Sequence, residues 1–241
     1  IVTLALLGDI SLARGVQPDA DSFSALAAQL NSADLALANL ESPLDQDWSA
    51  EEQTTSGSSY NLCAPAENAE MLKAWGLDLL SLANNHALDC SLDGLTQTMA
   101  ALEGQNLIGI GSPNIDGAIG GPYYRNVNGL TFAFLAFDDV TQPIDIETTA
   151  AKVRTAKQQG ALVVVSLHWG AEYQAGASPR QKEIAQALAQ AGAALIWGHH
   201  PHALQPSEWI ETDNGSTLVL YSLSNALFDA YGLADTSRSA L

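Results

Sequence analysis

Five histidines occur in 241 residues, and each sits at or just beyond the end of an apolar run. Gly8-Asp9 follows Val2–Leu7, Glu41 follows Leu35–Leu40, and Asn84-Asn85-His86 follows Leu77–Ala83. His168-Trp169-Gly170 follows Ala161–Leu167, Gly198-His199-His200-Pro201-His202 follows Ala193–Trp197, and Ser224-Asn225 follows Thr217–Leu223. A lone histidine is ordinarily structural, but a whole complement gathered at run ends points to metal ligation or acid–base chemistry. One Asp, one Glu, an amide carbonyl and several imidazoles make a mixed oxygen and nitrogen donor set without thiolate. Such a set favours Mn, Fe or Zn over Ca. Two ions side by side can activate a water and clamp the displaced oxygen, but residue types alone leave the number of ions open.

The elements that must position these residues are legible too. The apolar runs, with Leu107–Ile110 and Leu130–Phe137, have strand length and are mostly continuous rather than alternating, which predicts strands covered on both faces. Helices lie between them. Ser178-Pro179-Arg180-Gln181 reads as an N-cap, a first-turn proline and a capping-box Gln, and Gly192 closes that helix. Pro65 opens another that Gly76 ends, and Gly160 follows one beginning near Thr149. This alternation means an α/β fold, whose ligands bind beyond the carboxyl ends of the strands. Asp45 to Tyr60 has four acids and no base and reads as a polar loop, either an insertion or a flap over a site. Gly109 to Pro122 is a second, Gly-rich connection.

Composition narrows the partners. Twenty-seven acidic residues face nine basic ones, a formal charge of −18, so nucleic acid and anionic membrane surfaces are repelled. No apolar run is long enough to span a bilayer. The chain opens directly on a strand-like run and ends on Ser-Arg-Ser-Ala-Leu, so the native protein is expected to continue at both ends, with any signal or anchor preceding Ile1. Cys63 and Cys90 match no zinc spacing and are too few for a disulfide framework; two free, half-buried thiols are expected, with a single disulfide the alternative in an exported domain.

Taken in order, Gly8-Asp9-Ile10-Ser11-Leu12-Ala13-Arg14, Asn39-Leu40-Glu41-Ser42-Pro43 and Ser81-Leu82-Ala83-Asn84-Asn85-His86-Ala87-Leu88-Asp89 resemble motifs of the bacterial CapA family. His168-Trp169-Gly170-Ala171-Glu172-Tyr173, Gly198-His199-His200-Pro201-His202 and Ser222-Leu223-Ser224-Asn225 extend the resemblance over nearly the whole chain. CapA proteins are linked to poly-γ-glutamate capsule synthesis and are similar to calcineurin-like metallophosphoesterases. The resemblance implies one domain over residues 1–241, a four-layer αββα sandwich of two packed mixed sheets. It assigns Asp9, Glu41, Asn85, His168, His200 and His202 as metal ligands. One position would take Glu41, Asn85, His168 and His200; the other would keep Asp9, Glu41 and His202, because Ser11 stands where the superfamily has a histidine. At least one divalent metal is therefore expected, and the second stays open. His86, Asp9 and Arg14 are the expected catalytic groups, with His86 as general acid or polarising residue. Ala87 replaces the acid that usually orients His86, so Asp89 either substitutes for it or serves at a helix entry. Arg14 either meets an anionic substrate group or closes an internal salt bridge. His199 is an extra imidazole, and no role follows for Glu172 or Asn225.

The implied activity is metal-dependent hydrolysis of a phosphoester or a γ-glutamyl amide through a metal-activated water. The alternatives are a non-catalytic polymer-binding or capsule-assembly component with a degenerate site, and acid–base epimerisation of a peptide. The expected partners are an anionic polymer or a small phosphorylated or peptidic substrate, with the capsule-synthesis machinery, in an extracytoplasmic and membrane-anchored setting. The −18 charge is an awkward match for polyglutamate, which is itself a polyanion.

Overall fold

The computed structural model describes residues 1–14, 16, 19, 21–48, 61–111 and 121–229. Most of the Asp45–Tyr60 loop, most of the Gly109–Pro122 connection and the C-terminal Ser-Arg-Ser-Ala-Leu lie outside the described residues. One sheet has the order β13 (Asn225–Leu227), β1 (Leu4–Ile10), β2 (Leu35–Leu40), β5 (Leu79–Ser81), β6 (Ile108–Ile110). The other has the order β11 (Ser207–Thr212), β12 (Gly215–Leu220), β10 (Ala193–His199), β9 (Leu162–His168), β8 (Leu130–Asp138), β7 (Tyr123–Val127). Two short strands, β3 (Leu44–Asp45) and β4 (Ala64–Pro65), pair with each other. The expectation of mixed sheets holds for the second, which has antiparallel pairs at both edges. The first is parallel throughout.

The helices are α1 (Ala27–Ser32), α2 (Ala69–Ala74), α3 (Ser91–Gly104), α4 (Ile146–Gln158) and α5 (Pro179–Ala191). The capping box at Ser178 is formed, and Gly192 ends α5 at φ 99°, a left-handed conformation that suits glycine. Period-two side-chain direction explains why the strands are apolar without a break. Along β2, Leu35 and Leu37 face the other sheet while Ala36, Ala38 and Leu40 face Leu30, Leu72 and Leu102 on the helices. Along β9, Val164 faces between the sheets, whereas Val163, Val165 and Leu167 pack on Val153, Ile184 and Leu188. Each strand thus feeds two cores, and four layers result: helix, sheet, sheet, helix. Buried Trp197 ties the sheets together, its Nε1 donating to the Leu7 carbonyl at 2.9 Å. That bond lies two residues along the strand from both Asp9 and His199.

Candidate metal centre

The strand ends converge as the sequence pattern implies. Asp9 is the penultimate residue of β1, Glu41 directly follows β2, His168 ends β9 and His199 ends β10. Glycines permit the close approach: a Cβ on Gly8 would strike the Ser224 carbonyl, and one on Gly198 would strike the Tyr221 carbonyl and the Trp169 indole. His200 (φ 91°), His202 (φ 51°) and Ser224 (φ 60°) all hold positive φ, a strained state that bulky side chains rarely adopt outside functional sites. Tertiary bonds enforce it: His200 N donates to Asp9 Oδ2 (3.2 Å) and Ser224 Oγ donates to the His202 carbonyl (2.9 Å).

Glu41 is at the centre. It is fully buried, and among the described residues neither carboxylate oxygen has a hydrogen-bond partner. Its Oε1 is instead ringed by imidazole nitrogens: Nε2 of His168 and of His202 at 3.7 Å and Nε2 of His86 at 3.9 Å. These separations are too long for hydrogen bonds. Donors bound to one small cation at ~2.1 Å stand ~3.0–3.4 Å apart, so the His168 and His202 nitrogens are a few tenths of an ångström from ligand spacing with Glu41. Asn85 Oδ1 lies 2.7 Å from His168 Nε2, which brings the amide oxygen to the same point. Ligand atoms of Glu41, His200 and His202 lie within 4.8 Å of one another, and the His168 and His200 rings are 4.9 Å apart. His200 Nδ1 is buried without a hydrogen-bond partner. Glu41, His200 and His202 thus form a group that could hold a divalent cation, with His168 and Asn85 beside it.

The second position is poorer than residue types imply. Asp9 is already surrounded by protein nitrogens: Asn39 Nδ2 donates to Oδ1 at 2.8 Å, His199 Nδ1 lies 3.1 Å from that oxygen, and His202 Nδ1 lies 3.4 Å from Oδ2. Ser11 turns away, its Oγ 3.0 Å from Ser42 Oγ, which also receives Leu12 N. His202 Nδ1 lies 2.7 Å from Asn225 Oδ1. Asp9 thus acts as a pin that positions the His199–His202 loop.

Asp89 Oδ2 stands 2.8 Å from His86 Nδ1, so of the two roles open to Asp89 the structure forms the orienting one. A carboxylate only accepts, so His86 donates from Nδ1 and turns Nε2 toward Glu41. Arg14 pairs with Asp229 and lies over Phe228, whose ring is 4.8 Å from that of His202. The expectation of two free thiols is overturned: Cys63 and Cys90 are joined, their Cα atoms 5.3 Å apart, because α3 and the segment before β4 are packed side by side.

Electrostatics separate the two carboxylates. Burial, reinforced by Asp9, Glu172 and Asp89, raises Glu41 well above the ordinary carboxylate value. Burial would raise Asp9 as well, but His199, His202 and His168 outweigh it and hold Asp9 well below its ordinary value. Burial also lowers His168 and His200, keeping both neutral and fit to ligate.

Three residues that stand in the sequence motifs without an assigned role support the site. Asn39 anchors Asp9, Asn84 Nδ2 binds both Asn39 Oδ1 (3.2 Å) and the Leu40 carbonyl (2.8 Å), and Asn225 fixes His202. Asn39 and Asn84 flank assigned ligands at spacings of two and one, and Asn84 and Asn225 follow apolar runs.

A buried carboxylate, imidazole and amide centre at the carboxyl edge of two packed sheets, between two helical layers, defines a metallophosphoesterase-like protein. Residues 3–230 match the family described as bacterial capsule synthesis protein PGA_cap, and the chain belongs to that family. Over its full length it is 33% identical to the PGA biosynthesis protein CapA of Bacillus subtilis and 30% identical to the capsule biosynthesis protein CapA of Bacillus anthracis. Over 90% of its length it is 28% identical to a probable polyglutamine synthesis accessory protein of Mycobacterium tuberculosis. It spans 67%, 62% and 62% of those proteins respectively. A hypothetical protein from Thermus thermophilus shares the fold, with a TM-score of 0.60 at 18% identity over 93% of this chain and 77% of that one. No helix among the described residues is long and apolar enough to cross a membrane.

Proposed function

We propose that the chain is a metal-dependent hydrolytic domain acting in extracytoplasmic poly-γ-glutamate capsule synthesis. Glu41 carries the metal-dependent reading: a buried, ionised carboxylate with no hydrogen bond to either oxygen, ringed by imidazoles, is costly unless a cation sits there. The names of the relatives support the capsule setting. The disulfide supports an oxidising compartment, since cytoplasmic thiols are kept reduced.

Glu41, Asn85, His168 and His200 would hold one Mn, Fe or Zn ion. When bound, that ion supplies Lewis acidity toward a phosphoryl or amide oxygen and toward water. The chain's own groups do the rest. Asp9 keeps His200 and His202 in their strained conformations. Asp89 holds the His86 ring so that Nε2 faces the centre; there Nε2 takes the proton that the attacking water loses and passes it to the leaving oxygen or nitrogen. The P–O or C–N bond breaks as the oxygen of water forms the new one. Arg14 must give up Asp229 to meet an anionic substrate group.

The test is turnover of aryl phosphates and γ-glutamyl peptides by the Mn-loaded protein. Hydrolysis that disappears in Glu41→Gln and His86→Ala is expected; equal rates in all three sink the hydrolase reading. One observation favours a second reading, a polymer-binding component without turnover: Ser11 is tied to Ser42 and leaves the second position incomplete. Capture of poly-γ-glutamate without cleavage would select it.

A further inference from the structure

The disulfide stands next to the acid–base pair in both segments that it joins. Cys90 follows Asp89, the partner of His86, and Cys63 follows Leu62. Leu62 N donates to Asp89 Oδ2 at 2.7 Å, the same oxygen that lies 2.8 Å from His86 Nδ1. Asn61 Nδ2 donates to the Asp89 carbonyl at 3.1 Å, and Asn61 Oδ1 accepts from Cys63 N at 2.8 Å. Two neighbouring residues on one segment thus grip two groups of Asp89, and the covalent bond between Cys63 and Cys90 holds the segments in register for that grip. Beyond Cys63 the segment is anchored independently: Ala64 N donates to the Pro43 carbonyl at 3.0 Å and Trp48 Nε1 donates to the Cys63 carbonyl at 3.0 Å. None of Glu41, Asn85, His168 or His200 bonds to Asn61, Leu62 or Cys63 among the described contacts.

We infer that Cys63 and Cys90 are a positioning pair for His86: their disulfide, through Leu62 and Asp89, fixes the ring that delivers the proton, and opening it disables proton delivery while leaving the metal ligands in place. The consequence is regulatory. A chain still in a reducing compartment would hold the cation site without an oriented His86, and oxidation of the two thiols by a disulfide-exchange catalyst, which takes up their two electrons, would complete the arrangement.

The arrangement itself is independent of the hydrolase reading; only its effect on turnover rests on that reading. The test therefore has two arms on the full chain, in wild type, Cys63→Ser/Cys90→Ser and Asp89→Asn. In the first arm, nitrogen-edited NMR reads the His86 Nδ1–H signal. It is expected to be present and slow to exchange in wild type and absent from both variants. In the second arm, kcat falls in both variants on the order of 100-fold, with KM and Mn content unchanged, as for a misplaced catalytic group. The combination of all three substitutions falls no further than Asp89→Asn alone, because both act through one path. If the serine variant does not fold, native protein reduced by a water-soluble phosphine and alkylated is read in the same way. A cysteine variant that keeps the Nδ1–H signal and full kcat, and loses only thermal stability, overturns the inference. If wild type cleaves nothing, the hydrolase reading falls and the NMR arm alone decides this one.

Discussion

Glu41→Gln replaces a buried carboxylate by a neutral group of the same shape, and it pulls stability and metal response in opposite directions. In metal-free protein the Glu41 oxygens have no hydrogen-bond partner, and burial with Asp9, Glu172 and Asp89 disfavours the charge. The amide of Gln has hydrogens to offer the imidazole nitrogens at 3.7–3.9 Å. Removing an unsatisfied buried group is worth ~1–3 kcal/mol. For a chain of 241 residues that is ~2–12 °C in Tm, upward. Wild type in a metal concentration ~100 times Kd gains ~2.7 kcal/mol from binding. That corresponds to ~5–11 °C. Thermal melts at pH 8, with EDTA and with Mn, should show the variant at or above wild type when chelated and unresponsive to Mn, while wild type rises with Mn by that amount. A variant that melts well below wild type in EDTA and still rises with Mn would refute this account of Glu41.

The raised Glu41 has a pH signature. Its protonated form supports the metal-free fold fully below the ordinary value of 4.5, and that support is lost as pH rises through the raised value, so a cation must displace a proton. Mn affinity should climb with pH and binding should release protons in calorimetry; affinity that falls with pH would count against it. Asp9 has the opposite sign: its contribution is complete above 3.8 and is lost as pH falls through the depressed value, so Asp9→Asn should lower urea stability at pH 7 and converge with wild type in strong acid. Cys63→Ala/Cys90→Ala, opening a loop with a sequence separation of 27, should cost ~3.6 kcal/mol in urea titration; a loss below ~1 kcal/mol would show that the unfolded chain is little constrained by the bond. Gly8→Ala should cost ~3 kcal/mol or more and weaken metal binding, because the added methyl has only the Ser224 carbonyl to displace; unchanged melting and affinity would contradict that packing.

All eight strands expected from apolar runs are present, because strands buried on both faces must be apolar without interruption. Tyr123–Val127 and Ser207–Thr212 escaped because edge strands are half exposed and carry polar residues, although Asn128-Gly129 and Asn214-Gly215 are hairpin turn signals beside them. The residues of the buried cluster were legible because histidine is scarce and their places at strand ends repeat. What supports them was not: Asn39, Asn84 and Asn225 act through hydrogen bonds between residues distant in sequence, and no periodicity encodes those. The Cys63–Cys90 bond is likewise a product of tertiary placement, which two isolated cysteines cannot reveal.

The central claim is a metal centre built on Glu41, Asn85, His168 and His200. Elemental analysis of protein purified without chelator, beside His200→Ala prepared identically, tests it most directly. The account predicts a transition metal bound to wild type in a stoichiometric amount and strongly depleted in the variant. Wild type that stays metal-free even after incubation with Mn, Fe or Zn, or equal metal in both proteins, would contradict it.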